Sequence, residues 1–61
     1  MKHSALEKHR EALRETGMRR EVYKRRVDAG AMTAKDAARK ISIMQEIADD
    51  YGEMAEAERL V

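Results

Sequence analysis

Five cationic side chains, Arg19, Arg20, Lys24, Arg25 and Arg26, fall within the stretch MRREVYKRRV at residues 18–27. Guanidinium and ammonium groups at that density can grip phosphates, so nucleic-acid binding is one chemistry to weigh. Docking on an acidic protein is a second, because complementary charge steers and orders such encounters. The third reading is a solvated helix face. Cations in the last turns of a helix oppose its dipole, and Glu15 with Arg19 and Glu21 with Arg25 form i,i+4 pairs worth on the order of a few tenths of a kcal/mol each. Lys35, Arg39 and Lys40 would extend the cluster if the chain folds back on itself.

Other reactive side chains are sparse. His3 and His9 are six residues apart, about 240° around a helix, and so face different ways; no metal site is expected from them. The chain has no cysteine, which excludes a thiol nucleophile and a disulfide. It has no glycine-rich phosphate loop and no Ser/His/Asp arrangement, so neither an enzyme nor a cofactor is expected. The carboxylate row in QEIADDYGEMAEAE, residues 45–58, is either an ordinary soluble flank or an imitation of a nucleic-acid backbone.

Two elements must position these groups. Ser4 stands three residues before Glu7 and Thr33 three before Asp36, the spacing of capping boxes at helix starts, with Met32 placed as a hydrophobic staple. Gly30 can take the left-handed conformation that ends a helix. The spacing predicts one helical-hairpin domain over residues 1–61: helix one about 5–29, a turn at 30–33, and helix two about 34–59. Gly17 costs roughly 1 kcal/mol against alanine within a helix, so a break after Thr16 is an alternative.

A turn of 100° per residue gathers Ala5, Leu6, His9, Ala12, Leu13, Thr16, Gly17, Arg20, Tyr23 and Val27 on one side of helix one. Met18, Val22 and Ala29 form a smaller apolar strip suited to contact with a partner. In helix two, Ala34, Ala37, Ile41, Met44, Ala48, Tyr51 and Ala55 make a coiled-coil-like seam, which Ile47, Met54 and Val61 widen. A short connection makes the helices antiparallel. That register sets Leu13 near Ala48, Leu6 near Ala55, His9 near Glu53, and Tyr23 near Arg39 and Lys40. Gly17 would face Met44 and Gln45, and with Ala48 allow close approach. Arg20 would lay its stem across Ile41 and Met44.

Residues 1–28 hold nine Lys or Arg against five acids, whereas residues 45–61 hold six acids against one arginine. A hairpin thus has a basic loop end and an acidic open end. At 61 residues a single core is too small without support, and the seam of helix two is wider than one partner helix covers. The expected all-α fold is therefore an antiparallel hairpin that dimerises into a four-helix bundle. With no apolar run of membrane-spanning length and no apolar stretch near the N-terminus, a cytoplasmic protein with no membrane partner is expected.

The segment MRREVYKRRVDAGAMTAKDAARKISIMQEIADDY, residues 18–51, resembles short uncharacterised helical proteins of bacteriophages and proteobacterial prophages. RREVY, VDAGAMT and AARKISIMQEIADDY carry the resemblance; Lys24 departs from it, standing where proline is frequent in that group. The resemblance implies a small phage-type accessory protein made inside a bacterial cell. The leading expectation is a non-enzymatic homodimer that binds and modulates a host or phage protein through Met18, Val22 and Ala29, flanked by Arg25 and Arg26. Alternatives are nucleic-acid binding by Arg19, Lys24, Arg25, Arg26, Lys35, Arg39 and Lys40, and a structural part of a larger assembly.

Overall fold

The computed structural model describes residues 2–59, which form two helices, α1 (Ala5–Asp28) and α2 (Ala34–Arg59), packed side by side as a hairpin. Local chemistry sets the ends. Ser4 is extended, and its Oγ accepts from Glu7 N at 3.1 Å; Thr33 Oγ1 accepts from Asp36 N, also at 3.1 Å. The two box carboxylates are engaged elsewhere: Glu7 pairs with His3 Nδ1 at 2.9 Å and Asp36 with Lys40 at 3.8 Å. At the turn Gly30 adopts φ 75°, Ala31 N donates to Arg26 O at 2.8 Å, and Gly30 N donates to Val27 O at 3.0 Å. This is a Schellman stop, in which the left-handed glycine lets two otherwise orphaned carbonyls be satisfied. Ala29 is the cap residue, so α1 closes at Asp28 rather than at 29.

The break considered after Thr16 is not made; α1 runs through Gly17. The reason is energetic. An isolated glycine costs about 1 kcal/mol, less than surrendering the hydrogen bonds and burial of the turns on either side. Thr16 there is 2 % exposed, and its hydroxyl donates to Ala12 O at 2.7 Å.

Small side chains form the line of closest approach. Ala5, Thr16, Ala37 and Ala48 are the buried residues, Ala48 with no exposure at all, and His9, Ala12, Tyr23, Val27, Ile41, Met44, Tyr51, Gly52 and Ala55 are half-buried around them. Leu6 and Leu13, expected in the seam, lie at its edge with 43 % and 42 % exposure. Gly17 is exposed too, with nothing within 4 Å of a Cβ added to it, so it is not a point of close approach. The helix is turned so that alanine and threonine, rather than leucine, face the partner, which lets the backbones come near and displaces the larger side chains to the flanks.

The result is a rod of 48 × 19 × 15 Å with a radius of gyration of 14.2 Å, where a compact chain of this length has about 10.5 Å. Its accessible surface is 5033 Å², against about 4,000 Å² for a compact protein of the same mass. Val61, placed by its spacing beside Ile47 and Met54, lies outside the described residues.

Candidate functional site

The strongest surface feature is an apolar stripe on α2. Ile43, Ile47 and Met54 follow one another at steps of four and seven, which keeps them on one face, and they are 43 %, 39 % and 51 % exposed. Ile47 and Met54 were expected on this flank; Ile43 was missed, although it stands one helical turn before Ile47 and so carried the same signal. Between the stripe and α1 runs a shallow groove of ≈ 360 Å³ lined by Arg19, Tyr23, Lys40, Ile43, Met44 and Ile47. One turn beyond Ile47 on α2, Tyr51 has Lys8 Nζ 5.5 Å from its ring centre, a cation–π contact between the two helices.

The strip of Met18, Val22 and Ala29 is less continuous. Met18 is exposed but has the Arg14 guanidinium 3.8 Å from its sulfur, Val22 is half-buried, and Ala29 sits in the cap of α1. Leu6 and Leu13, seven residues apart, share the flank of α1 that holds Arg20, whose Nη2 donates to Gln45 Oε1 at 3.3 Å. Arg20 also lines a groove with Tyr23, Val27 and Ile41.

His9 is half-buried between the helices and reaches from α1 to the main chain of α2. Its Nδ1 is 2.6 Å from the Ala48 carbonyl oxygen and must carry the proton it donates there. The expected neighbour, Glu53, is not the partner. The ring fits because position 52 is glycine: a Cβ on Gly52 would stand 2.9 Å from His9 Cε1 and 3.0 Å from Nδ1. In an α-helix the carbonyl of residue 48 points toward residue 52, so a missing side chain at 52 opens the path to that oxygen. Among the described residues no three His, Asp or Glu are placed to hold a metal ion.

The cations divide into paired and free. Arg19 Nε donates to Glu15 at 2.9 Å, which strengthens the hold of Arg19 on its proton, and Lys40 meets Asp36. Among the described residues Lys24, Arg25, Arg26, Lys35 and Arg39 have no carboxylate within 4.0 Å, so the expected pair of Glu21 with Arg25 is not formed. All five are exposed at the loop end. At the open end Glu46, Asp49, Asp50, Glu53, Glu56 and Glu58 are exposed, with Gln45 donating to Asp49 at 3.0 Å and Arg59 to Glu56 at 3.1 Å. On α1 the Arg14 guanidinium, 2.7 Å from Glu11, bonds to that carboxylate and holds its pKa below the ordinary value. Neither described helix is long and apolar enough to cross a membrane. The chain matches no family model, no curated protein and no solved structure.

Proposed function

We propose that the hairpin is a non-enzymatic interaction module: two copies pair into a four-helix bundle, and the surface left over binds and modulates another protein. The observation that carries this reading is the separation of side chains by size. Alanine, threonine and glycine occupy the seam, while Ile43, Ile47 and Met54 remain in water on one flank. Three large apolar groups in a row on a small rod mark an interface. The surface of one chain exceeds that of a compact protein of its mass by roughly 1,000 Å², close to the roughly 800 Å² that each partner hides in a stable dimer. The likeness of residues 18–51 to phage and prophage proteins supports a setting in a bacterial cytoplasm and a host or phage protein as the target. Met18, Val22, Leu6 and Leu13 are the apolar contacts left for it.

The test has two parts. Light scattering at micromolar concentration is expected to give twice the 7.0 kDa chain mass. Affinity purification from a bacterial host, followed by mass spectrometry, is expected to recover one stoichiometric partner that is lost from Met18→Asp and Leu13→Asp variants. Recovery of the bait alone, with a mass of one chain, contradicts the reading.

One observation favours a second reading, in which the loop ends contact nucleic acid: five exposed cations that, among the described residues, have no carboxylate within 4.0 Å. Phosphate contacts would give a gel shift with random duplex that weakens steeply with salt and disappears in an Arg25→Ala, Arg26→Ala variant. A salt-insensitive shift, or none, removes it.

A further inference from the structure

Resting on the reading of the chain as a pairing hairpin, we infer that the occupant of the Ile43, Ile47 and Met54 stripe is the same stripe of a second copy, laid antiparallel. Charge along the stripe selects this orientation. Asp36, Lys40, Ile43, Ile47, Asp50 and Met54 alternate steps of four and three residues, the repeat of a helix seam, and all lie on one face of α2. Ile43 and Ile47 are its centre, Lys40 and Asp50 its charged neighbours on either side.

A parallel, in-register pair would set every residue beside its own copy, with lysine on lysine and aspartate on aspartate. Reversing one helix and placing Ile43 against the partner's Ile47 sets Lys40 against the partner's Asp50, and the two-fold axis repeats both contacts. In the same register Asp36 meets the partner's Met54. The symmetry axis then falls at Gln45, near the middle of α2 (Ala34–Arg59), so almost the whole helix takes part. Lys40 can exchange partners, because its contact with Asp36, at 3.8 Å, is the longest ion pair among the described residues. At larger scale the reversal lays each basic loop end, with Arg39 and Lys35, along the acidic open end of the other copy. The groove of ≈ 360 Å³ beside Ile43 and Ile47 is where the partner's large side chains seat.

The experiment combines a distance with a charge exchange. A nitroxide on Glu56→Cys is a unique label, since the chain has no cysteine, and it sits away from the stripe. Antiparallel pairing separates the two labels by about 33 Å along the axis at 1.5 Å per residue, whereas parallel pairing leaves them level, with helix axes about 10 Å apart. Pulsed electron resonance reads the difference. Lys40→Asp and Asp50→Lys are each expected to weaken pairing about tenfold by light scattering, and the double variant to restore it. A short label distance with twice the chain mass overturns the antiparallel arrangement while leaving the pairing reading intact. A single-chain mass in the unlabelled protein overturns both. Single exchanges that leave the mass unchanged overturn the register.

Discussion

Replacing Gly52 with alanine puts a methyl group where the His9 ring now lies, 2.9 Å from Cε1. Helix propensity alone would favour the change by about 1 kcal/mol. Against it, the ring must withdraw from Ala48 O, losing a hydrogen bond of about 1 kcal/mol, and the tightened contact adds roughly 1–3 kcal/mol of overpacking. The net expectation is a loss of about 1–3 kcal/mol. Gly17 provides the control, because a Cβ there meets nothing within 4 Å. Gly17→Ala should gain about 1 kcal/mol, raising the thermal midpoint by about 4–8 °C. In a His9→Ala background the obstruction is gone, and Gly52→Ala should become stabilising. Urea unfolding followed by circular dichroism, at one fixed protein concentration, measures all four variants and closes the cycle. If Gly52→Ala stabilises the wild-type chain as much as Gly17→Ala does, the His9 ring does not occupy the space beside Gly52 and the reasoning fails.

Removing the caps by Ser4→Ala or Thr33→Ala should cost about 1 kcal/mol each, read from the same unfolding curves; no change would mean that neither hydroxyl holds its helix start. Gly30→Ala forces a side chain into φ 75° and should cost about 1–2 kcal/mol, with a lower thermal midpoint as the readout. Glu11 has a pKa lowered by its bond to Arg14, so its contribution is present above the unfolded-chain pKa and is lost as pH falls through the lower folded value. Carboxyl titration by nuclear magnetic resonance should find Glu11 below the ordinary glutamate range and Arg14→Ala should return it there; a curve unmoved by the substitution contradicts the pairing.

Ser4, Thr33 and Gly30 were legible because caps and stops are written within three or four residues of one another, and they mark where both helices begin and where the first ends. The facing residues were legible in part. A helical wheel put Ala5, Thr16, Ala37 and Ala48 on the packing faces, where they are buried, but because it weighs apolarity it also put Leu6 and Leu13 at the contact, and they lie at its edge. The partner of His9 is a main-chain oxygen exposed by an absent side chain, and pairing side chain with side chain led to Glu53 instead. Ile43 was passed over because it falls outside the seam between α1 and α2; it becomes conspicuous only as part of the second repeat with Lys40, Ile47 and Asp50. The charge poles followed from composition by segment, but Arg25 lacks the Glu21 pairing that i,i+4 spacing suggested, since spacing permits such a contact without compelling it.

A lone hairpin, with small residues at its seam and isoleucines left in water, is expected to gain its stability by joining a second copy. Thermal unfolding across a hundredfold range of protein concentration measures this directly. Folding coupled to pairing gains about 2.7 kcal/mol over that range, so the midpoint should climb by roughly 10 °C, and Ile47→Asp should abolish the climb. A midpoint that stays constant at every concentration, with Ile43 and Ile47 in place, would contradict the account.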